Sequence, residues 1–413
     1  MQFGSVVVCS LGAVAATAVA QRSTPVQVVH PSGSASDLMG NSIAIDGDTM
    51  VVGVSNDDVI ATDQGSALVY RWTGSGWAYE ATLTAIGAAA ADYFGTSVAI
   101  SGDTIVVGAY ADDVGAVVDQ GSAYVFIRSG TTWTQQARLT AADGAAGDNF
   151  GFSVTISGNT AVIGANYDDV GSNTDQGSAY VFTRSGNIWS QQAQLVATGG
   201  SAGDHFGSCA VISENTVAIG ASTDDVGSNT DQGSVFIFTQ SGTTWSQQAK
   251  LTVAGGSSFD YFGHDIALSG DTLLATSAWD DVGSNTDQGS VTIFTRSGTI
   301  WSQQIQLFAA GGAAGDSFGR SVAISGDTAI VGAPYDDVGT NTDQGSASIF
   351  DVAFNDFSVA HNDVTDLSYP TLAAALLPAV SGQQITATEA AWRTTGSINT
   401  LGRSLSQIGR AHV

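Results

Sequence analysis

Cysteine, proline and positive charge are all scarce in this sequence, and each shortage excludes a class of protein. Two cysteines in 413 residues exclude a fold held together by a network of disulfide bonds. The 11 Lys and Arg residues stand against 38 Asp and Glu, and the net charge of -27 repels nucleic acids and anionic lipids. Five prolines beside 51 glycines are typical of many short strands joined by tight turns. The composition therefore predicts an acidic, β-rich protein that does not bind nucleic acid.

Only one apolar run is long enough to raise the question of a membrane, and it lies at the N terminus. Residues 6–19 form this run, which ends in Ala18-Val19-Ala20, the small-x-small pattern that signal peptidase accepts. The run is short for a membrane span, and a buried strand or a membrane anchor is the alternative. We expect residues 1–20 to be a signal peptide and the mature chain to begin at Gln21. The protein would then be secreted or displayed at the cell surface, with no membrane insertion after cleavage.

A 56-residue unit repeats along the chain, and this periodicity decides the predicted architecture. The dipeptide Phe-Gly recurs at Phe94, Phe150, Phe206, Phe262 and Phe318, with Met39-Gly40 as a degenerate first copy. The tripeptide Asp-Gln-Gly keeps the same step, beginning at Asp63, Asp119, Asp175, Asp231, Asp287 and Asp343. A tryptophan recurs five times at the same 56-residue step, at Trp77, Trp133, Trp189, Trp245 and Trp301.

Each copy contains the signals for four strands. In the third copy, β-branched and aromatic residues over 150–156, 161–165, 178–183 and 189–195 are separated by Gly, Asn and Asp turns. The second strand is apolar throughout and is expected near the centre, whereas the more polar fourth strand suits an outer edge. Four-stranded units of this length stack around an axis as propeller blades. We predict an all-β fold, a six-bladed β-propeller of four-stranded antiparallel blades.

The predicted ring needs a closing strand, because the sixth copy stops after its third strand near Phe350. Residues 26–31 occupy the place where a fourth strand normally precedes Phe-Gly, so this N-terminal strand would complete the last blade. Seven blades are the alternative if the tail contributes another. The propeller would span residues 24–355, and residues 356–413 would form a short mixed tail containing a helix over 369–380. That tail loosely resembles the start of a parallel β-helix.

The two cysteines do not pair under these predictions. Cys9 leaves with the signal peptide, so Cys209 has no second cysteine in the mature chain with which to form a disulfide. Cys209 stands in a predicted strand, where most other copies have Ser. We expect a buried, inert thiol.

The repeated motifs resemble the FG-GAP repeats of integrin α-subunit propellers, and more closely the bacterial secreted proteins that carry such repeats. Phe318-Gly319 followed by Gly332-Ala333-Pro334 contains the whole signature. The resemblance implies an extracellular propeller used for adhesion or ligand binding. Integrins hold calcium in an Asp-x-Asp-x-Asp-Gly loop between the first two strands. Here that loop has shrunk to turns such as 101–104, so calcium at that position is not carried over.

Carboxylates gather instead in the loop between strands two and three. Each copy has an Asp pair and a later Asp, and these account for 18 of the 38 acidic residues. They are Asp57, Asp58 and Asp63; Asp112, Asp113 and Asp119; Asp168, Asp169 and Asp175; Asp224, Asp225 and Asp231; Asp280, Asp281 and Asp287; and Asp336, Asp337 and Asp343. A hard cation would offset their repulsion, and calcium is the predicted cofactor, with the loops of the last four copies as metal sites. The alternative is that these aspartates only form turns by accepting backbone hydrogen bonds.

Positions that vary between copies ring the same predicted face. They flank the strand-one start and the strand-two end, which lie at one edge of a blade. The candidate ligand-binding residues are Tyr93, Tyr110, Tyr167, His205, Tyr261, Trp279 and Tyr335. Aromatic rings beside carboxylates suit an extracellular protein or carbohydrate ligand. The alternative to a binding site is unselected drift at exposed loop positions. The opposite face carries Arg128, Arg184 and Arg296, which predicts an electrically polarised molecule.

Catalytic motifs are missing. The five histidines do not recur with the repeat, and no nucleophile elbow or phosphate loop is present. We expect a non-catalytic binding or adhesion protein. The alternatives are a structural envelope or spacer protein, or the N-terminal part of an extracellular carbohydrate-active β-helix protein.

Overall fold

A computed structural model describes residues 27–352 and, outside them, the backbone of five short strands. These are β1 (Val7–Cys9), β25 (Ala387–Thr388), β26 (Arg393–Thr394), β27 (Asn399–Thr400) and β28 (Arg403–Ser404). The described residues contain strands and turns and no helix. The expected signal peptide and mixed tail fall almost wholly outside the described residues. No helix in the described part of the chain is long and apolar enough to cross a membrane.

The strands between residues 39 and 351 form six antiparallel sheets arranged as the blades of a β-propeller, and β1 pairs in parallel with residues 42–44 of the first blade. Blade one contains β2 (Met39–Asp46), β3 (Thr49–Val54), β4 (Ser66–Trp72) and β5 (Trp77–Leu83), and blade two β6 (Ser97–Ser101), β7 (Thr104–Ala109), β8 (Ser122–Ser129) and β9 (Thr132–Leu139). Blade three contains β10 (Phe150–Ser157), β11 (Thr160–Ala165), β12 (Ser178–Ser185) and β13 (Ile188–Leu195), and blade four β14 (Cys209–Ser213), β15 (Thr216–Ala221), β16 (Ser234–Ser241) and β17 (Thr244–Leu251). Blade five contains β18 (Ile266–Ser269), β19 (Thr272–Ser277), β20 (Ser290–Ser297) and β21 (Ile300–Leu307), and blade six β22 (Ser321–Ser325), β23 (Thr328–Ala333) and β24 (Ser346–Asp351).

Strand boundaries follow the turn chemistry of the repeat. In blade three, Ser157 pairs with Thr160 across a two-residue turn, and Gly158 at the first turn position has φ of 58°. That left-handed conformation is nearly free of strain only for glycine, and it matches the right-handed twist of the two strands. The four strands expected for this copy are confirmed to within two residues at each end.

Each blade runs outward from the centre in chain order, from strand one to strand four, or to strand three in blade six. The first strands of successive blades contact one another, so strand one lies nearest the axis and strand two is next to it rather than innermost. Strand two is almost wholly buried in blades one to five, because neighbouring blades cover both of its faces; in β7 all six residues are buried. Strand four alternates exposed and half-buried residues, as expected for an outer edge.

Neighbouring blades are joined by their Phe-Gly elements. The amide of Phe150 donates to the Gln120 carbonyl of blade two at 2.9 Å, and the Phe150 ring is completely buried. Gly108 must be glycine here, because a Cβ would lie 2.0 Å from the Gly151 carbonyl oxygen. Five such joints connect blades one to six, with amide-to-carbonyl distances of 2.7 to 2.9 Å.

A ladder of tryptophans links the blades at the outer rim. Trp189 Nε1 donates to Gln136 Oε1 of the preceding blade at 2.9 Å, and Trp133 donates to Glu80 at 2.8 Å. The ladder continues with Trp245 to Gln192 and Trp301 to Gln248, both at 3.0 Å. The recurring tryptophan therefore stabilises the packing of each outer strand on the previous one.

The expected closing strand over residues 26–31 is corrected by the structure. Residues 27–31 form no strand, and β24 is the last strand of the sixth sheet among the described residues. The segment lies against blade one instead: Tyr70 Oη donates to the Val29 carbonyl at 2.8 Å, and His30 Nε2 lies 3.1 Å from Asp57 Oδ2. These local polar contacts and the packing of Val28 on the blade-one core hold it there.

Cys209 is buried in β14, as expected. Its Sγ lies 3.4 Å from Asp265 Oδ1. Cys209 in blade four and Asp265 in blade five occupy the position at which blades one, two and three have a serine.

Candidate functional site

The first aspartate of the acidic loop is buried in blades one to four and half-buried in blades five and six, and in blades one to five neighbouring side chains hold its carboxylate. Asp112 accepts a hydrogen bond from Tyr124 Oη at 2.5 Å and an ion pair from Arg138 Nη2 at 2.8 Å. Asp224 pairs with Lys250 Nζ at 2.5 Å. Equivalent partners in three other blades are His30 on Asp57, Tyr180 and Gln194 on Asp168, and Gln306 on Asp280.

The second and third aspartates of each loop form a turn. Asp169 Oδ1 accepts the Asp175 amide at 2.9 Å, and the same bond recurs in all six blades at 2.8 to 3.0 Å. The third aspartate has φ between 51° and 53° in every blade, a left-handed conformation that Asp tolerates better than most residues. These roles agree with the turn-forming alternative for the acidic loops.

A fourth recurring carboxylate adjoins each loop, and sequence reasoning missed it. Asp204 is buried, and its Oδ2 accepts the Ser201 amide at 2.6 Å. Burial, together with the charges of Asp224 and Asp225, raises the pKa of Asp204 to about 6, although the backbone hydrogen bond from Ser201 and the charge of Lys250 act to lower it. The pKa values of Asp92 and Asp260 are raised to about 6 in the same way. The signal was an Asp two residues before each Phe-Gly.

Within each loop, the aspartates predicted to bind a metal thus form hydrogen bonds with different partners. Within residues 27–352, no three His, Cys, Asp or Glu side chains are grouped so that they could hold a metal ion. Calcium binding by these loops stays a prediction.

The candidate ligand-binding residues come together in pairs where blades meet. Tyr93 and Tyr110 stack with ring centroids 5.5 Å apart and planes 6° apart, and Phe152 of blade three packs edge-on against Tyr110 at 5.9 Å. Burial raises the pKa of Tyr110, and the neighbouring Tyr93 and the Asp119 carboxylate add to it. The third aspartate of the loop therefore borders the stacked rings.

A second pair joins Tyr167 of blade three to His205 of blade four. Their ring centroids are 4.7 Å apart, and Tyr167 remains 39% exposed. His205 Nδ1 lies 2.9 Å from Thr223 Oγ1, which fixes the imidazole. Burial lowers the pKa of His205, so the ring is neutral near pH 7 despite the carboxylates of Asp175 and Asp231 nearby.

The largest group centres on Trp279 in blade five. Tyr261 lies edge-on to it at 5.1 Å and His264 at 4.9 Å, and the Arg320 guanidinium of blade six lies over the indole at 4.9 Å. Arg320 Nη1 lies 2.9 Å from His264 Nε2. Burial and then the charge of Arg320 lower the pKa of His264 to about 3, so its neutral Nε2 accepts this bond.

Tyr335 extends this group into blade six, where it lines a groove with Arg320. We name the eight rings at these positions the aromatic arc: Tyr93, Tyr110, Phe152, Tyr167, His205, Tyr261, Trp279 and Tyr335. The structure thus brings three pairs of predicted residues together. Sequence reasoning missed Phe152, His264 and Arg320, although the residue directly after Phe-Gly varies between copies and could have indicated them.

The strand-three turns carry the arginines expected opposite the arc. Arg128 pairs with Asp103 at 2.5 Å and lies 5.3 Å from the Trp133 ring centroid. Arg184 and Arg296 each lie 5.2 Å from the centroid of their own tryptophan. These arginines reinforce the outer rim, which explains their recurrence structurally.

Among residues 27–352, six stacked blades with a variable, half-exposed aromatic surface define a β-propeller. A family model described as FG-GAP repeat matches residues 27–70, 77–126, 133–182, 189–238, 245–294 and 301–350. These segments cover well over half of the chain, which therefore belongs to the FG-GAP repeat family. No curated protein matches the chain closely enough to identify a relative. FG-GAP repeats typically occur in extracellular or surface proteins and are consistent with a non-catalytic binding role.

Proposed function

We propose that this chain is a secreted or cell-surface propeller that binds an extracellular carbohydrate on the aromatic arc without catalysing a reaction. The observation that carries the proposal is the stacking of half-exposed rings beside carboxylates, as at Tyr93, Tyr110 and Asp119. Pyranose rings present C–H groups that pack on aromatic faces, while carboxylates and neutral imidazole nitrogens hydrogen-bond hydroxyl groups.

The charge of the protein narrows the ligand class. A net charge of -27 disfavours sulfated and uronic-acid glycans, whose approach the overall field opposes. Neutral sugars meet no such barrier. Arg320 does not reverse this expectation, because its guanidinium is engaged over Trp279 and beside His264. A neutral glycan is therefore the favoured ligand, and a protein ligand is the other class that the sequence predicts.

A glycan array followed by calorimetry tests this proposal. Trp279→Ala and Tyr110→Ala should each weaken binding of an array hit by about tenfold or more, the effect of losing a stacking anchor. Tyr79→Ala is the matched control, since Tyr79 is 47% exposed in β5 outside the arc. Equal loss in all three variants, or no neutral glycan bound on the array, would overturn the proposal.

We also propose that residues 1–20 direct secretion and are removed. The apolar run ending in Ala18-Val19-Ala20 supports this part of the proposal. Intact-mass and N-terminal analysis of protein secreted from a host with a signal peptidase should find a chain beginning at Gln21. A chain retained in the cell with its first residues in place would contradict it.

A further inference from the structure

The first aspartate of the acidic loop in blade five lacks the cation that its counterparts in blades two and four have. One position of strand four supplies that cation, and it holds Arg138 in blade two and Lys250 in blade four. Blade five has Gln306 there, and Gln306 Nε2 donates to Asp280 Oδ2 at 2.8 Å. Among the described residues, no Lys, Arg or His side chain forms an ion pair with Asp280.

The side chain beneath this aspartate is also smaller in blade five. At one position of strand three, blades two and three have Tyr124 and Tyr180, whose hydroxyls donate to the first aspartate at 2.5 Å and 3.0 Å. Blade five has Thr292, which is completely buried and whose Oγ1 has no hydrogen-bond partner among the described residues. Its side chain leaves the same face of β20 as that of Ser290, which hydrogen-bonds Asp280. A short, unpartnered hydroxyl thus replaces a ring that bonds the aspartate elsewhere.

A cavity of about 210 Å³ opens at this carboxylate. We name it the blade-five pocket; Asp280, Asp281, Gln306, Phe308 and residues 253–256 line it. The volume is several times the roughly 30 Å³ that one water molecule occupies in the liquid. Asp280 is half-buried, whereas its counterparts in blades one to four are only 3% to 7% exposed. The pocket therefore makes the carboxylate of blade five accessible to a ligand.

An aromatic ring forms one wall of the pocket. Phe308 is 40% exposed. Blades one to four have threonine or valine at its position: Thr84, Thr140, Val196 and Thr252. Blade four shows how a carboxylate and a ring hold an ammonium group, because Lys250 Nζ lies 2.5 Å from Asp224 Oδ2 and 5.3 Å from the Phe236 ring centroid. Blade five presents both kinds of group without the lysine.

The carboxylates around the pocket also affect one another. Burial raises the pKa of Asp280, and the charge of Asp281 adds to this effect. Burial, together with the charges of Asp280 and Asp281, raises the pKa of Asp260 to about 6 against one backbone hydrogen bond. In blade four the charge of Lys250 acts to lower the pKa of the equivalent Asp204. A cation in the blade-five pocket would likewise stabilise the ionised carboxylates.

We propose that the blade-five pocket binds a primary ammonium group, carried by a small amine or by a lysine side chain. Three acceptors match the three N–H donors of such a group: the Asp280 carboxylate, the Thr292 hydroxyl and the Asp281 carbonyl. The equivalent carbonyl in blade two, that of Asp113, accepts Arg138 Nη2 at 2.9 Å. A metal ion fits less well, because no three His, Cys, Asp or Glu side chains within residues 27–352 are grouped to hold one. This inference does not depend on the glycan proposal.

Calorimetry on the full chain at fixed ionic strength, with n-butylammonium as the probe, tests the proposal. We expect saturable binding at a single site. The control ligand n-butyltrimethylammonium keeps the charge but has no N–H donor, so it should bind at least about tenfold more weakly. Nα-acetyl-lysine methylamide carries the same ammonium group on a peptide unit; tighter binding than butylammonium would assign the group to a peptide, and weaker binding to a small amine. Equal binding of the primary and quaternary ions, or no saturable binding, would overturn the proposal.

Variants at the strand-four position give a second test. Gln306→Lys places in blade five the cation that blade four has, so it should weaken butylammonium binding at least about tenfold and raise the melting temperature. Gln194→Lys in blade three is the matched control, since Tyr180 already bonds the first aspartate there. It should leave the affinity unchanged, whereas Asp280→Asn should weaken binding without adding a charge. Unchanged affinity in Gln306→Lys and Asp280→Asn, or an equal loss in Gln194→Lys, would show that butylammonium does not bind in this pocket.

Discussion

The carboxylate of Asp265 in blade five accepts the Val322 amide of blade six at 2.8 Å, at a position where blade two uses a serine. There Ser97 Oγ accepts the Val154 amide at 2.9 Å. Asp265 is 2% exposed, and burial raises its pKa to about 7 against the opposing hydrogen bonds from Val322 and Ile266. The centre of the propeller therefore contains a carboxylate that folding favours in its protonated form.

Asp265 should make the stability of the protein fall as pH rises. Its folded pKa is above the unfolded value, so its contribution is present below pH 4 and is lost as pH rises through about 7. Asp265→Ser should remove this dependence and stabilise the protein at pH 8 by about 2 kcal/mol. Urea unfolding at pH 5 and pH 8 measures it, with exposed Asp48→Ser as the control for charge. An unchanged pH slope in Asp265→Ser would contradict the prediction.

Asp204 should show a related effect at the edge of the acidic loop. At pH 7.5 its carboxylate is ionised although burial raises its pKa to about 6. Asp204→Asn keeps an oxygen to accept the Ser201 amide and removes the charge, so we expect stabilisation of about 1 kcal/mol at pH 7.5. At pH 4.5 the gain should disappear, because the wild-type group is then protonated. A gain of equal size at both pH values would point to packing instead.

Glu214 is strained by the turn that it occupies. It has φ of 52° at the position where Gly158 has 58° in blade three. Glu214→Gly should stabilise the protein by about 1 kcal/mol, because a non-glycine residue costs roughly that in the left-handed region. Gly158→Glu, the reciprocal change, should destabilise the protein by a similar amount. Nothing within 4 Å blocks a side chain at that position, so backbone strain is the only cost. Denaturant titration measures both, and a neutral pair would contradict the strain.

The rim ladder should couple blades energetically. Trp189→Phe removes the bond to Gln136 and weakens the packing of Arg184, whose Cζ lies 5.2 Å from the ring centroid. We expect a loss of about 1 to 2 kcal/mol. A double-mutant cycle with Gln136→Met isolates the inter-blade bond, and the two changes should cost less together than their sum. Full additivity would show that the bond contributes nothing.

The prediction that the acidic loops bind calcium can be tested by thermal unfolding. After chelation, added calcium should raise the melting temperature saturably and magnesium should not, because only the folded state would present the ligands. Asp168→Asn with Asp175→Asn tests whether the effect arises in the blade-three loop, and Asp103→Asn outside the loops is the control. The absence of any shift would leave turn formation as the role of these aspartates.

The fold could be predicted from the sequence because the same pattern recurs six times. Phe150, Trp189 and Gly158 recur at equivalent positions in other copies, and so do most of the residues around them. The strands and turns predicted for one blade therefore apply to the next. The candidate site was only half predictable. Tyr93 and Tyr110 could be placed on one face from strand direction, but Arg320 over Trp279 joins residues of different blades that vary between copies. No periodic pattern indicates such a contact.

The sequence by itself determined the six repeated units and their strand boundaries, because local turn chemistry and apolar periodicity act over short distances, while seven blades stayed open as the alternative. Tertiary structure alone decided which rings stack, which carboxylates are buried, and where residues 27–31 lie. Those outcomes depend on how blades pack across their joints, and on desolvation that shifts the pKa of groups such as Asp204 and Asp265.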